Sequence, residues 1–362
     1  MLQKPRRKST HIKVGNVTVG GDAFISVQSM TNTDPSDLDA TRAQILSLAH
    51  AGCDIVRLAV PNAVAVRTVA ALKEEGCPVP LVADIHFDYK LALASLDAGI
   101  DKIRINPGNI GDEERVRAVA HACAARGVPI RIGVNSGSLE KHILEKHGAP
   151  TAEALAESAL YHASLLEKYD FGDIAISVKA SDVSTMIEAN RILAERCAYP
   201  LHLGVTEAGG SEMGSIKSAV GIGTLLAEGI GDTVRVSLTA DPVLEVKQAR
   251  AILSALDLLP ERQMDIVSCP TCGRTKIDLI PLLSAFEAEL DRLSLRSLPI
   301  KVAFMGCIVN GPGEAKEADI GVAGGMGEGV IFRHGVPMER VPMDRIVPTL
   351  IGEIIKMKEQ NV

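Results

Sequence analysis

One recurring pattern in the first two-thirds of the chain constrains its fold more than any other feature. An amphipathic stretch ends at a glycine, and a short apolar strand begins within a few residues. The pattern occurs in HAGCDIVRLAV (50–60), EEGCPVPLVADIH (74–86), DAGIDKIRINP (97–107), ARGVPIRIGVN (125–135) and AEGIGDTVRVSL (227–238). Glycine readily takes the positive φ that ends a helix, and short β-branched strands are typical of a sheet covered by helices.

These units predict the fold class. Strands are expected near residues 24–29, 55–60, 81–86, 102–107, 130–135, 174–179, 201–206 and 233–238. Helices are expected at 38–51, 63–75, 89–98, 113–126, 152–168, 184–196, 217–228 and 243–256. Eight such units over about 250 residues are typical of an α/β TIM barrel. A doubly wound sheet is the alternative, but no strand is followed by a GxGxxG that opens a helix, so a dinucleotide site has no support.

The pattern changes after Leu258, which predicts a second domain. We expect a substrate-binding barrel at residues 1–258, a linker at 259–264 and a small α+β domain at 265–362. Within the second domain the sequence predicts strands at 265–268, 300–305, 319–323 and 329–333, and helices at 277–293 and 344–358.

Composition and charge exclude several classes of function. No apolar run approaches the roughly 18 residues that span a bilayer. The basic start MLQKPRRKST is followed by no apolar segment, so we expect a cytoplasmic protein without a secretory signal. A net charge of −7 and an aromatic content of 3% argue against binding to nucleic acid or to anionic membranes.

Cations lie where the predicted strands end, which is where this fold places its active site. Like charges crowded into a cavity repel, and a bound anion relieves that repulsion. Any one of these cations could form a structural ion pair, but the whole set predicts a pocket for a small polyanion such as a diphosphate ester. The set is Arg57, Arg104, Arg131, Lys179 and Arg235.

Two further groups at strand ends are candidates for proton transfer or binding. His86 follows Asp84 on the third predicted strand, and Glu207 lies in TEAGG at the end of the seventh. A carboxylate among cations usually stays ionised, but it can donate a proton where bound substrate keeps water away. The alternatives are a packed histidine at the rim of the barrel and a salt-bridge partner for one of the cations.

Seven cysteines in a chain without an export signal favour metal or redox chemistry over disulfides. Four are scattered singly and are interpreted as small buried apolar residues: Cys53, Cys77, Cys123 and Cys197. The other three form a constellation, with Cys269 and Cys272 in SCPTCGRT (268–275) and Cys307 in MGCIVNGPGE (305–314).

The constellation favours a [4Fe–4S] cluster. A zinc site would need four Cys or His ligands, and the only histidine of this domain is His334. A thioredoxin-like βαβ pattern is also missing around the C-x-x-C. Gly311 and Gly313 allow the backbone to approach a cluster, and Glu314 is the candidate fourth ligand, leaving one iron available to a substrate oxygen.

Taken together, these motifs resemble the 4-hydroxy-3-methylbut-2-enyl diphosphate synthases, the iron–sulfur enzymes of the non-mevalonate isoprenoid route. The resemblance covers almost the whole chain and is to the compact bacterial two-domain form. The matching stretches are RRKST (6–10), VQSMTNT (27–33), PLVADIHFDY (80–89), RINPGNIG (104–111), IRIGVN (130–135), SVKASD (177–182), HLGVTEAGG (202–210), GIGDTVRVSL (229–238), CPTCGR (269–274) and GCIVNGPGEA (306–315).

The resemblance implies a function and a set of site residues. The reaction is the two-electron reduction of 2-C-methyl-D-erythritol 2,4-cyclodiphosphate, in which the ring opens and a hydroxyl is lost as water. Flavodoxin or ferredoxin is the implied electron donor. Glu207 and Glu314 are the implied catalytic residues, and the implied cluster ligands are Cys269, Cys272, Cys307 and Glu314. The implied substrate-binding residues are Arg57, His86, Arg104, Arg131, Asn135, Lys179, Arg235, Ser237 and Asn310.

Two other functions are kept as alternatives, and the linker predicts an assembly. A non-redox aldolase or isomerase would use Lys179 as a Schiff-base nucleophile and the second domain as a structural metal domain. A non-enzymatic iron–sulfur carrier would not need the crowded strand ends. The short linker LPERQ (259–263) follows a helix that runs away from the barrel mouth. It therefore favours a head-to-tail homodimer with sites shared between chains.

Overall fold

The computed structural model describes residues 4–307 and 316–360, and its first part contains an eight-stranded parallel sheet. Neighbouring strands pair in the order β8-β7-β6-β5-β4-β3-β10-β9, and a bridge between Ile176 and Leu201 brings the two ends together. The strands are β3 (Ser26–Met30), β4 (Ile55–Ala59), β5 (Leu81–Asp84), β6 (Lys102–Ile105), β7 (Ile130–Asn135), β8 (Ile174–Lys179), β9 (His202–Leu203) and β10 (Thr233–Val234). The predicted TIM barrel is confirmed, although β9 and β10 are shorter than expected.

Helices follow the strands around the barrel. They are α1 (Leu38–His50), α2 (Ala63–Glu74), α3 (Tyr89–Asp97), α4 (Glu113–Arg126), α5 (Lys141–His147), α6 (Ala152–Glu167), α7 (Val183–Arg196), α8 (Ser211–Ala227) and α9 (Pro242–Ala255). The glycine of each quoted repeat has a positive φ, from 62° at Gly127 to 91° at Gly52, as the helix-ending pattern predicts. The short helix α5 is not predicted by the periodicity.

An unpredicted hairpin covers one end of the barrel. Strands β1 (His11–Val14) and β2 (Val17–Gly20) pair antiparallel. Their apolar side chains pack against residues near the amino ends of barrel strands, including Ile55 and Val82. The hairpin therefore closes the amino end, and the carboxyl ends of the strands are left as the mouth.

The RRKST motif has a structural role at the same end. Arg6 Nη2 and Ser9 Oγ donate to Asp232 Oδ1 at 3.0 and 2.8 Å, and Leu201 N donates to Asp232 Oδ2 at 2.8 Å. Asp232 is buried, so these bonds hold the amino-terminal segment against the start of β10.

The contacts divide the chain after Leu259, and the second unit contains a five-stranded mixed sheet. Its elements are β11 (Asp265–Ser268), α10 (Leu279–Arg292), β12 (Lys301–Met305), β13 (Ile320–Gly324), β14 (Glu328–Arg333), β15 (Val336–Pro342) and α11 (Ile346–Glu359). Strand β15 was not expected from the sequence. Among the described residues, no helix is long and apolar enough to cross a membrane.

Candidate active site

Asp84, at the end of β5, is the centre of an ion-pair network in the barrel mouth. Its Oδ1 lies 3.0 Å from Arg104 Nη1, and its Oδ2 lies 3.8 Å from Arg57 Nε. Burial alone would raise the pKa of Asp84, but the charges of Arg57 and Arg104 outweigh burial and lower it. The carboxylate is therefore ionised and is shared between two arginines.

Two nitrogens of the Arg57 guanidinium also contact a weak acceptor. Its Nε and Nη2 point at Met30 Sδ, at 3.0 and 2.9 Å. A thioether accepts hydrogen bonds poorly, so these two contacts stabilise the guanidinium only weakly. Burial lowers the pKa of Arg57 to about 9, with the nearby charges of Arg235 and Arg104 acting in the same direction.

A second carboxylate, Glu245 on α9, is the partner of Arg235. Glu245 Oε2 lies 3.5 Å from Arg235 Nη2 and accepts a hydrogen bond from Ser29 Oγ at 2.9 Å. Its Oε1 accepts from Leu238 N at 2.9 Å. Glu245 is 4% exposed. Sequence reasoning missed this residue because it lies inside a helix pattern and not at a strand end.

Arg131 and Lys179 have no such partner. Within residues 4–307 and 316–360, neither side chain has a carboxylate within ion-pair distance, and Arg131 Nε and Nη2 have no hydrogen-bond partner. Burial and neighbouring cations lower the pKa of both groups. Five cations thus face two carboxylates, which leaves the mouth with an excess of positive charge.

Two glycines make room for these long side chains. A Cβ at Gly133 would lie 2.5 Å from Arg104 Nε, and a Cβ at Gly204 would lie 2.9 Å from Lys179 Nζ. Both distances are too short for non-bonded atoms. Gly133 also accepts a hydrogen bond through its carbonyl from Arg104 Nη2 at 3.2 Å. The absence of a side chain at Gly133 on β7 therefore leaves space for Arg104. Its absence at Gly204, directly after β9, leaves space for Lys179 and for the backbone oxygen of Arg235, which would lie 2.6 Å from a Cβ there.

A polar layer lies deeper in the barrel and contains Lys102 and His202, which were not predicted as site residues from the sequence. Lys102 is fully buried, and its Nζ donates to Gln28 Oε1 at 3.4 Å. Burial lowers the pKa of Lys102 well below its usual range, and the charge of Arg131 adds to this effect. His202 is also fully buried, and burial together with the charge of Arg131 lowers its pKa.

The other sequence-predicted residues of the barrel lie at the same strand ends. Asn135 and Ser237 are half-buried, whereas His86 and Glu207 are exposed. The charge of His86 contributes, after those of Arg57 and Arg104, to the lowered pKa of Asp84. Glu207 has a φ of 52°, a conformation that is uncommon for residues other than glycine and that often occurs at functional sites.

The second unit brings two of the predicted cluster cysteines to neighbouring strand ends. Cys269 follows β11 and Cys307 lies two residues after β12, and these strands are parallel neighbours. Gly306 N donates to Cys269 Sγ at 3.1 Å. The two cysteines therefore follow neighbouring strands at the same edge of the sheet.

Cys272 is exposed, and hydrogen bonds from the backbone and side chain of Arg274 lower the pKa of its thiol. A cavity of about 330 Å³ adjoins Cys307 and is lined also by Arg274, Lys276 and Met326. In the part of the chain that the structure describes, no three His, Cys, Asp or Glu side chains gather around one point. Asn310 and Glu314 lie outside the described residues.

A parallel barrel of this kind defines a TIM-barrel enzyme, a class that places its active sites at the carboxyl ends of the strands. The family model "GcpE TIM-barrel domain" matches residues 9–250, and "GcpE protein C-terminal domain" matches residues 265–356. The chain therefore belongs to the GcpE family. This confirms the family resemblance found in the sequence.

Curated relatives agree over nearly the full length. The chain is 57% identical over 352 residues to a protein of Ruminiclostridium cellulolyticum, covering 97% of this chain and 98% of the relative. It is 54% identical over 352 residues to a protein of Geobacter sulfurreducens, with the same coverage of each chain. Both relatives are named 4-hydroxy-3-methylbut-2-en-1-yl diphosphate synthase (flavodoxin).

A solved structure supports the barrel alone. The type I 3-dehydroquinate dehydratase of Clostridium difficile matches with a TM-score of 0.52 at 14% identity, covering 69% of this chain and 98% of that one. At this identity the similarity shows a shared fold.

Proposed function

We propose that this chain reduces 2-C-methyl-D-erythritol 2,4-cyclodiphosphate to 4-hydroxy-3-methylbut-2-enyl diphosphate in the cytoplasm. The observation that carries the proposal is that three arginines at the barrel mouth, Arg104, Arg131 and Arg235, have buried donors without partners among the described residues. A diphosphate supplies acceptor oxygens and negative charge together, which satisfies these donors. The names of the full-length relatives support the same reaction.

The proposed binding residues act by position and charge. The diphosphate is held by the five cations, which are Arg57, Arg104, Arg131, Lys179 and Arg235. Asp84 orients the guanidinium groups of Arg57 and Arg104, and Glu245 orients that of Arg235. The proposed binding set is completed by Asn135, Ser237, His86 and Asn310.

The alternative, a Schiff base on Lys179, requires a neutral amine, and the lowered pKa of Lys179 is compatible with it. A bound diphosphate would reverse that effect by stabilising the ammonium form.

Glu207 is the proposed proton donor. Its side chain lies exposed at the end of the seventh barrel strand pattern, where a leaving hydroxyl of a substrate anchored by the cations would be within reach. Donation of one proton allows that hydroxyl to depart as water. Bound substrate would itself keep water away from this carboxyl group.

The iron–sulfur cofactor is proposed to be a [4Fe–4S] cluster. Enzymes of this family are iron–sulfur proteins. The donor set fits this group, because Cys269 already accepts an N–H bond and the pKa of Cys272 is lowered. The proposed ligands of the cluster are Cys269, Cys272, Cys307 and Glu314. The cluster supplies single electrons, and flavodoxin or ferredoxin is the proposed donor.

The test is an anaerobic assay of the purified chain. Reconstitution with iron and sulfide should give a brown protein that converts the cyclodiphosphate when a strong reductant is supplied. A colourless, zinc-loaded protein that acts on a sugar phosphate without reductant would support the aldolase or isomerase alternative. A brown protein that does not bind the cyclodiphosphate would support the carrier.

We also propose that the chain forms a homodimer with shared sites. Met213, Ile216 and Val220 lie on one face of α8 and are 50–55% exposed, an apolar stripe that a second copy would cover. Mixing Glu207→Gln with Cys269→Ser tests the sharing of sites. Exchanged heterodimers should regain activity that neither parent has, whereas inactive heterodimers of folded parents would place each site within one chain.

A further inference from the structure

Asn106 carries an unused hydrogen-bond donor beside the cation cluster. It directly follows β6 and lies two residues after Arg104, so both side chains extend to the same face of the barrel wall. Asn106 is 4% exposed, and its Nδ2 has no partner among the described residues. Buried amide nitrogens are normally paired, so this one indicates a missing acceptor.

The orientation of this amide is fixed by the turn that follows it. Asn106 Oδ1 accepts from Gly108 N at 3.3 Å, which caps the short 3₁₀ turn Pro107–Asn109. The oxygen of the amide is therefore assigned to the turn. The NH₂ group is directed away from Gly108 N, because the oxygen and nitrogen of an amide lie on opposite sides of the same carbon.

The turn is held in place by a buried histidine–carboxylate pair. His162 Nδ1 accepts from the same Gly108 N at 3.3 Å. Because Nδ1 accepts, the ring proton must reside on Nε2, which donates to Glu140 Oε1 at 2.5 Å. Ser158 Oγ donates to the other carboxylate oxygen of Glu140 at 2.7 Å. His162 is fully buried in α6, and Glu140 directly precedes α5.

Packing also holds the turn against the imidazole ring of His162. A Cβ at Gly108 would lie 2.6 Å from His162 Cε1, so the backbone of the turn rests directly on the ring. A shift of His162 therefore displaces Gly108, whose N–H is the group that Asn106 Oδ1 caps.

We propose that Asn106 binds an anionic oxygen of the substrate through Nδ2, and that His162 and Glu140 are positioning residues that hold Asn106 for this contact. The proposal rests on the proposed function. Asn106 supplies a neutral donor among charged ones. It can recognise an oxygen without adding to the repulsion between the cations.

The first test measures binding of the cyclodiphosphate by calorimetry to reconstituted wild-type enzyme and to variants. Asn106→Asp keeps an oxygen to cap the turn but loses the NH₂ donor and adds a negative charge. We expect its dissociation constant to rise about 10- to 150-fold, the scale of a hydrogen bond to a charged group. Asn109→Ala, an exposed residue of the same turn, is the matched control and should bind normally.

The second test separates positioning from general stability. His162→Ala should weaken binding in the wild-type background but have no further effect on binding in Asn106→Ala, because both changes remove the same contact. His162→Asn retains an acceptor for Gly108 N and should recover part of the affinity. Equal losses from His162→Ala in both backgrounds would show that His162 acts through stability alone.

Failure of the inference and failure of the proposed function give different results. If wild-type enzyme binds the cyclodiphosphate and Asn106→Asp binds it equally well, Asn106 makes no contact and the inference is wrong. If wild-type enzyme does not bind the cyclodiphosphate, the proposed function fails. The same variants are then titrated with inorganic diphosphate, where an unchanged dissociation constant would overturn the inference separately.

Discussion

Replacing Gly133 with alanine tests the cation cluster with a single methyl group. The added Cβ would lie 2.5 Å from Arg104 Nε and 2.8 Å from Arg104 Nη2. Non-bonded heavy atoms of this kind prefer about 3.5–4.0 Å, so the guanidinium must retreat by about 1 Å. That movement breaks the bond from Arg104 Nη2 to Gly133 O, now 3.2 Å, and loosens the 3.0 Å contact with Asp84.

The magnitude follows from the bonds that are lost. A hydrogen bond to a charged group contributes about 1.5–3 kcal/mol, so losing the Arg104 contact should weaken binding of the cyclodiphosphate about 10- to 150-fold. Overpacking should also lower the free energy of unfolding by about 1–3 kcal/mol. Calorimetric titration measures the first quantity, and urea unfolding of the same preparation measures the second.

The matched control is Gly223→Ala on α8, where a Cβ meets nothing within 4 Å. Because alanine is the better helix former, we expect unchanged binding and a gain of up to about 1 kcal/mol in stability. Wild-type affinity in a destabilised Gly133→Ala protein would refute the role assigned to Arg104. Wild-type stability in that variant would refute the close contact itself.

Three further predictions concern other parts of the molecule. Lys102→Met should raise the free energy of unfolding near pH 7, because the lowered pKa of Lys102 means that the unfolded chain binds the lysine proton more tightly than the folded chain does. The stability advantage of the variant over wild type should shrink by up to about 1.4 kcal/mol per pH unit as the pH rises toward 10. A difference in urea unfolding that stays constant with pH would contradict this. Glu207→Gln should lower kcat more than it changes KM in steady-state assays, whereas an effect on KM alone would make Glu207 a binding residue. Cys272→Ser should lose the visible absorbance of the cluster while the barrel keeps its unfolding temperature, and Cys77→Ser should keep both.

The order of strands and helices was predictable because each unit carries its own signals. The glycines of the repeats end helices wherever they occur, and the apolar runs that follow are too short to be helices. The cation set was predictable for a related reason. Parallel strands in a barrel all end at one face, so residues far apart in sequence, such as Arg57 and Arg235, meet without any long-range information.

One of the two counter-charges, Asp84, lies at a strand end and follows the same rule, but the other, Glu245, was not predictable from such local signals. Glu245 pairs with Arg235 and Ser29 only because α9 packs beside β3 once the barrel has closed, and Ser29 lies 216 residues away in sequence. The hairpin of β1 and β2 was missed because it lies before the first of the helix–glycine–strand units on which the prediction depends. Its apolar side chains become buried only when they pack against Ile55 and Val82 at the amino end of the folded barrel.

The surplus of buried cations also explains how the mouth is prepared for its ligand. Burial lowers the pKa of Arg57, Arg131 and Lys179, which shows that the folded chain holds these charges at a cost in stability. Much of the desolvation that a diphosphate site requires therefore takes place during folding, and less is needed when the anion binds.

A ligand that binds only the folded state stabilises it by RT ln(1 + [L]/Kd), about 2.7 kcal/mol at a hundredfold excess over Kd. Inorganic diphosphate should accordingly raise the unfolding temperature of the wild-type protein, and it should do so less in Arg131→Met, where one of the unpaired charges is gone. An equal rise in both proteins would mean that Arg131 does not face the anion.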